Sequence, residues 1–391
     1  VLAFAGILFA AVLVFLTGVV ANWFPRPAGL TTGMVVGIAA VLIVVSAVVG
    51  FVGRTSPGDG PESGAPPSSP RSKPAPQPTT KTPTAQQVQA LQPATTFGCD
   101  DTDNSAVVAM HPDGFLLACT NASATAVWNV GSGRSPSLAK DLGVGALSAT
   151  FNASGRQLLT AGDSCWQFFD GRRPWNQTGN ECGLEQSAAS AVFAPDGKTF
   201  ATRRWPDGSD VRFWDVASHK LVNTYQAADG RRIMSIAYSP TGRYFATGSA
   251  DAHPYLWDLS HNGQRRQLAD DRDGHTDEVR AVAFSPDGTR LISGGADRTA
   301  KIWSVPDGKL LASLNNGHDD SVNAVAFSPD GRTAVTGGAD HKVIEWNITT
   351  ASPIRALEGS GGEITSLSYD RSGKTLAAGC SDGKVVVWSL T

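Results

Sequence analysis

The sequence runs to 391 residues, of which 17% are charged, with a formal net charge of −3. Five of the 32 Lys/Arg and two of the 35 Asp/Glu fall in residues 1–95, which leaves 27 against 33 beyond them, net −6. That balance argues against nucleic acid, whose binding needs a basic face, and five cysteines are too few for a fold built on disulfides.

Residues 1–24 carry no charge, Pro25–Gly29 interrupt them, and residues 30–52 form a second uncharged run. Each run is long enough to cross a bilayer as a helix rising about 1.5 Å per residue. The expectation is a transmembrane helix over 1–24, a second over 30–52, and an antiparallel hairpin between them that embeds the chain in a membrane. Trp23 and Phe24 stand where aromatics anchor at the interface. Gly33 and Gly37 have the spacing of a close helix approach, although glycine is common in membrane helices in any case. The first run lacks the basic start of a signal peptide, and neither run has the polar face of a soluble helix pair. The first residue is Val rather than Met, so a domain upstream stays open.

Residues 53–94 differ in kind. Ten of these 42 residues are Pro and none is aromatic. Such a segment has too little apolar surface to bury, and it is expected to be a disordered Pro/Ser/Thr-rich linker. Where extended, at about 3.1 Å per residue, it would hold the following domain on the order of 100 Å from the membrane.

Residues 95–391 repeat. The unit is clearest in Ser285–Trp303, which reads as a Pro286-Asp287-Gly288 turn, an apolar strand at Leu291–Ser293, a second turn through Asp297, and a strand ending on Trp303. The turn glycine recurs at Gly114, Gly155, Gly197, Gly242, Gly288, Gly331 and Gly373, and the aromatic at Trp128, Phe169, Trp214, Trp257, Trp303, Trp346 and Trp388. Two markers keeping one period through seven copies predict seven four-stranded units, and hence an all-β, seven-bladed β-propeller over 95–391. The chain stops soon after Trp388, which leaves the last unit one strand short. The closing strand is expected from residues 95–100, pairing with Val385–Trp388.

These units resemble WD40 repeats. The resemblance covers residues 95–391 and is most specific in the fifth and sixth units. The fifth has Gly274-His275, Ser293, Asp297 and Trp303, and the sixth has Gly317-His318, Thr336, Asp340 and Trp346. In that family such sets form a structural hydrogen-bonded tetrad within a blade. The fourth unit keeps Thr247, Asp251 and Trp257 but has Arg231 where His is expected. The seventh keeps Asp382 and Trp388 without a His, and the second has Asp163 with Phe169 for Trp. Extra residues lie between Arg203 and Ser209 in the third, and the first keeps Trp128 with no turn Asp. These units are expected to be held more by apolar packing.

The tetrads are read as framework rather than as a catalytic or metal-binding set. His111 and His253 are read as incidental, and His341 as a solvated turn residue. There is no phosphate-binding loop, nucleophile elbow, Cys-x-x-Cys or His-Glu-x-x-His, and the Asp-Gly pairs lack the alternating acids of a calcium loop. No enzyme activity, cofactor or metal is expected. Cys165 and Cys182 flank a turn and would face each other across a hairpin. Cys99 and Cys380 would clasp the ring shut, and Cys119 is read as a core residue. Five buried free thiols are the competing reading.

By the resemblance, one face of the ring is lined by a residue at the start of each innermost strand: Ala106, Leu147, Ala189, Met234, Arg280, Asn323 and Thr365. One arc is small or apolar and the other polar, a flat mixed surface that, at Met234, Arg280, Asn323 and Thr365, would suit a protein or peptide partner; simple packing around the channel is the other reading. The resemblance thus implies a membrane-anchored interaction scaffold or sensor, similar to bacterial membrane-tethered WD40-repeat proteins. The alternative is the C-terminal sensor part of a bacterial Ser/Thr protein kinase whose catalytic domain lies outside this chain. Arg26 against Arg54 and Arg71 leans to a cytoplasmic propeller. The stalk and the possible disulfides lean outward, and outward is the reading taken.

Overall fold

The computed structural model describes residues 90–390, except 101–104, 132–134, 163, 184–187, 205–207, 228–229 and 269–272. The two expected membrane helices and nearly all of the expected linker lie outside the described residues. Among the described residues no helix is long and apolar enough to cross a membrane.

What is described is strand and turn, with a 3-10 turn over Leu259–His261. Seven antiparallel sheets follow one another along the chain: blade 1 over 107–141, blade 2 over 148–182, blade 3 over 190–226, blade 4 over 233–267, blade 5 over 279–314, blade 6 over 322–357 and blade 7 over 364–389. In blade 5 the strands, from the channel outward, are Val279–Phe284, Arg290–Gly295, Ala300–Ser304 and Leu310–Leu314. Adjacent inner strands touch in cyclic order, and that of blade 7 touches that of blade 1, so the ring closes.

The sequence makes these sheets for a visible reason. Each blade is sandwiched between two others, so its second strand is buried on both faces and reads as a continuous apolar run. Leu291 and Ile292 in blade 5 and Leu376, Ala377 and Ala378 in blade 7 are fully buried. Outer strands have a solvent face and carry exposed residues such as Leu221 and Val222. The tight turns are set locally. Gly288 has φ +69°, a left-handed conformation that glycine adopts without strain, while the Asp287 carboxylate accepts from the Thr289 N–H at 3.0 Å.

Blade 7 supplies three strands of its own, and Thr95–Gly98 supplies the fourth. That segment runs antiparallel to Lys384–Ser389, with Thr95 opposite Val387 and Gly98 opposite Lys384. Ala90–Leu91, on the linker side of the expected boundary, forms a short parallel strand on the outer edge of blade 6, with Leu91 opposite Leu357. One face of the ring therefore carries the starts of the inner strands, and the other carries the Pro-Asp-Gly turns.

Candidate functional site

In blade 5 the residues that most resemble a catalytic set form a closed chain of bonds. The Trp303 indole N–H donates to Ser293 Oγ at 2.8 Å. The Ser293 hydroxyl lies 2.8 Å from His275 Nε2, and His275 Nδ1 lies 2.9 Å from Asp297. The Ser293 hydroxyl thus bridges the indole and Nε2, and Nδ1–H donates to the carboxylate. Blade 6 repeats this, with Trp346 on Thr336 at 2.8 Å, Thr336 and His318 Nε2 at 2.7 Å, and His318 Nδ1 and Asp340 at 2.9 Å. Burial pushes the Asp297 carboxyl up, but the hydrogen bond and charge of His275, with bonds from Thr299 and the Thr276 N–H, outweigh it and hold the group below the usual carboxylate range. The His275 side chain is wholly inaccessible, so the tetrad has no free group to offer a substrate.

Three of the degenerate blades meet the same bonding problem with other residues, and blade 1 leaves it unmet. In blade 4 the Tyr255 hydroxyl donates to Asp251 at 2.8 Å, in the role His plays elsewhere, and Trp257 still reaches Thr247 at 3.1 Å. In blade 3 Trp214 donates to Thr202 at 2.9 Å, and a buried Asp210 pairs with Arg212 at 2.9 Å. In blade 7 Ala378 stands at the Ser/Thr position, and the Trp388 indole donates instead to the Glu358 carbonyl at 2.9 Å. In blade 1 that position is Cys119, and the Trp128 indole N–H is buried without a partner.

His111 is not incidental. It is buried, and its Nε2 lies 2.9 Å from the Gly155 carbonyl of blade 2, tying two blades together. His253 bonds the Asp251 carbonyl at 2.8 Å, within its own turn. His341 is exposed, and its Nδ1 lies 3.1 Å from the Gly361 carbonyl. Among the described residues no group of three or more His, Cys, Asp or Glu is arranged to hold a metal ion.

Cys165 and Cys182 are joined in a disulfide across the outer hairpin of blade 2, directly opposite in register. The expected Cys99–Cys380 bond is corrected: Cys99 is joined to Cys119, and Cys380 is free. Side chains alternate along a strand. Ala377 of blade 7 packs toward blade 1 in one cluster with Cys99 and Cys119, whereas Ala378 and Cys380 pack toward blade 6. The blade itself thus separates Cys380 from Cys99. Burial, with Asp382 nearby, raises the Cys380 thiol to about 12.

The channel face has a feature that spacing did not show. Pairing of the inner strand slips between Ile233 and Ser235, between Val279 and Ala281, between Val322 and Ala324, and between Ile364 and Ser366. The residue left out of register is Met234, Arg280, Asn323 and Thr365 respectively. Bulges of this kind re-aim a side chain and leave a residue outside the ladder. The Arg280 guanidinium donates to Asn323 Oδ1 at 3.0 Å, joining blades 5 and 6. The Thr365 hydroxyl donates to the Ala106 carbonyl across the closure between blades 7 and 1. Ala106 and Ala189 are buried, so on blades 1 and 3 this position is packing. Leu147, on blade 2, is half-buried.

Residues 219–258, 267–304, 306–347 and 351–389 match the WD40 family, the WD domain or G-beta repeat. The matches over 219–258, 306–347 and 351–389 each hold the outer strand of one blade and the first three strands of the next, so the sequence repeat straddles neighbouring blades. A stretch of 91 residues is 30% identical to the 66 kDa stress protein of Physarum polycephalum. It covers 23% of this chain and only 14% of that protein's length. The chain carries WD40 repeats in these four segments, and its described strands form a seven-bladed β-propeller.

Proposed function

We propose that this propeller is an interaction platform, and that its partner-contacting surface is the channel face bearing Met234, Arg280, Asn323 and Thr365. WD40 propellers generally bind protein partners. The observation that carries the assignment is the set of four bulges in blades 4 to 7, which take these residues out of the ladder while the tetrads are consumed within blades. A photoreactive residue placed at Asn323 in the full chain, in its native cells, is expected to yield a discrete protein adduct. The same residue at Lys198, on the turn face, is expected to yield none; equal labelling from both would remove the assignment of the face.

The platform is anchored through residues 1–52 and faces an oxidising compartment. The uncharged runs 1–24 and 30–52 support the anchor. The pairs Cys99–Cys119 and Cys165–Cys182 support the compartment, because disulfides persist where thiols are not kept reduced. Protease added to intact cells is expected to remove the ring; a ring degraded only after lysis would place it on the other side.

A further inference from the structure

The second strand of each blade carries one position that faces the inner strand of the next blade. In four blades it is glycine: Gly248, Gly294, Gly337 and Gly379. A Cβ there would lie 2.6 Å from the Val279 carbonyl oxygen, 2.7 Å from Val322 Cγ1, 2.4 Å from Ile364 Cγ2 and 2.3 Å from the Ala106 carbonyl oxygen. Blade 1 has Thr120 there, whose hydroxyl donates across to the Ala146 carbonyl of blade 2 at 3.1 Å. Blade 3 has Arg203. A large cation thus occupies a position that four other blades keep as glycine and blade 1 fills with threonine.

Arg203 is poorly served there. Its Nε is buried without a hydrogen-bond partner. Burial, with the charge of Arg232 beside blade 4, lowers the guanidinium to about 10, which still leaves it a cation at neutral pH. Arg232 reaches Glu278 at 3.4 Å, and Glu278 lies 3.8 Å from Arg280, whose Nε also lacks a hydrogen bond. Among the described residues, Arg203, Arg232, Glu278, Arg280 and Asn323 line the channel face from blade 3 to blade 6, three cations with one acid. The ring as a whole is net negative, so this arc runs against the overall charge.

We propose that this arc is a recognition site for an acidic peptide segment, whose Asp or Glu carboxylates neutralise the guanidiniums of Arg203 and Arg280. The proposal rests on the channel face being the partner surface. A carboxylate carries a single charge in a planar pair of oxygens that matches a guanidinium. A polyanion would meet the negative remainder of the ring. Met234, left out of register by its bulge on blade 4 and half-buried, offers an apolar surface for the methylene stem of a glutamate.

The test uses the full chain, a fluorescent penta-glutamate peptide and its penta-glutamine counterpart, read by fluorescence anisotropy. The glutamate peptide is expected to bind at least about tenfold tighter and to weaken with salt. Arg280→Gln and Arg203→Gly are each expected to lower its affinity about tenfold. Arg243→Gln, whose native guanidinium pairs with Asp258 at 3.0 Å on the turn face, is expected to change nothing. Arg280 is partly exposed, so its variant stays informative where the Arg203 change disturbs folding. Equal affinity for the two peptides, unchanged binding by Arg280→Gln, or displacement of the peptide by equimolar inorganic phosphate overturns the proposal. If penta-glutamate fails to bind while the adduct at Asn323 persists, the acidic specificity falls and the platform stands; loss of the adduct removes the platform itself.

Discussion

Asp297 shows what one side chain does in this ring. Its carboxylate holds His275, backbone N–H groups of two turns, and the Thr299 hydroxyl. Asp297→Asn removes the charge that fixes the histidine, and a buried network that loses a charged member costs about 1–3 kcal/mol. The pH dependence has a definite sign. The folded-state pKa is depressed below the ordinary carboxylate value, so the contribution is complete above the unfolded value of about 4 and is lost as pH falls through the folded pKa. Urea unfolding should therefore show the variant well below the wild type at pH 7, with the gap narrowing at pH 3. A gap independent of pH would mean that Asp297 acts through packing rather than charge. The tetrads of blades 5 and 6 were legible because all four residue types stand at their repeat positions. Blade 4 was legible only in part, because Tyr255 supplies the hydroxyl from the third strand and nothing near Arg231 announces it. Cys119 is the core residue its strand position implied, but its bond to Cys99 was not legible, because a cysteine at the Ser/Thr position does not announce its neighbour across the closure.

Single strands carry a second constraint, the spacing between blades. The glycines at 248, 294, 337 and 379 let the next inner strand approach to contact distance. Gly337→Ala would place a Cβ 2.4 Å from Ile364 Cγ2 and 2.8 Å from Ile364 Cβ, with no flexible chain end to give way. Overpacking of that kind costs about 1–3 kcal/mol, and thermal unfolding should show a lowered Tm with blade 6 and blade 7 affected together. An unchanged Tm would mean that the blades are packed more loosely than this spacing requires. The repeat period and the burial of the second strands could be read from the sequence, since both follow from apolar runs between turn residues. The bulges beside Met234, Arg280, Asn323 and Thr365 could not. They arise where inner-strand pairing must accommodate the neighbouring blade, and no residue type marks them. The meaning of Arg203 needed both levels, because its oddity appears only when it is set beside four glycines and the strand those glycines touch.

At the scale of the molecule the ring depends on joining its two ends, and three features do so at one place. Thr95–Gly98 pairs with Lys384–Ser389, Cys99 is bonded to Cys119 of blade 1, and Thr365 reaches Ala106 across the same boundary. The strand and the covalent bond are separable. Cys99→Ser keeps the closing strand and removes a link between residues 20 apart, which chain-entropy arguments value at about 3 kcal/mol. Deleting residues 95–100 removes the link and the strand, exposing the edge of Lys384–Ser389 and uncovering Val385 and Val387. The serine variant is expected to unfold in one cooperative transition at reduced Tm. The deletion is expected to broaden that transition and to drive association through the open edge, seen by calorimetry and light scattering. Under reducing conditions the wild type should fall to the Tm of a variant lacking both disulfides, while the deletion remains the less stable of the two. If the deletion instead matches the serine variant in Tm and stays monomeric, the closing strand contributes nothing beyond its cysteine, and the ring holds by the packing between blades 7 and 1 alone.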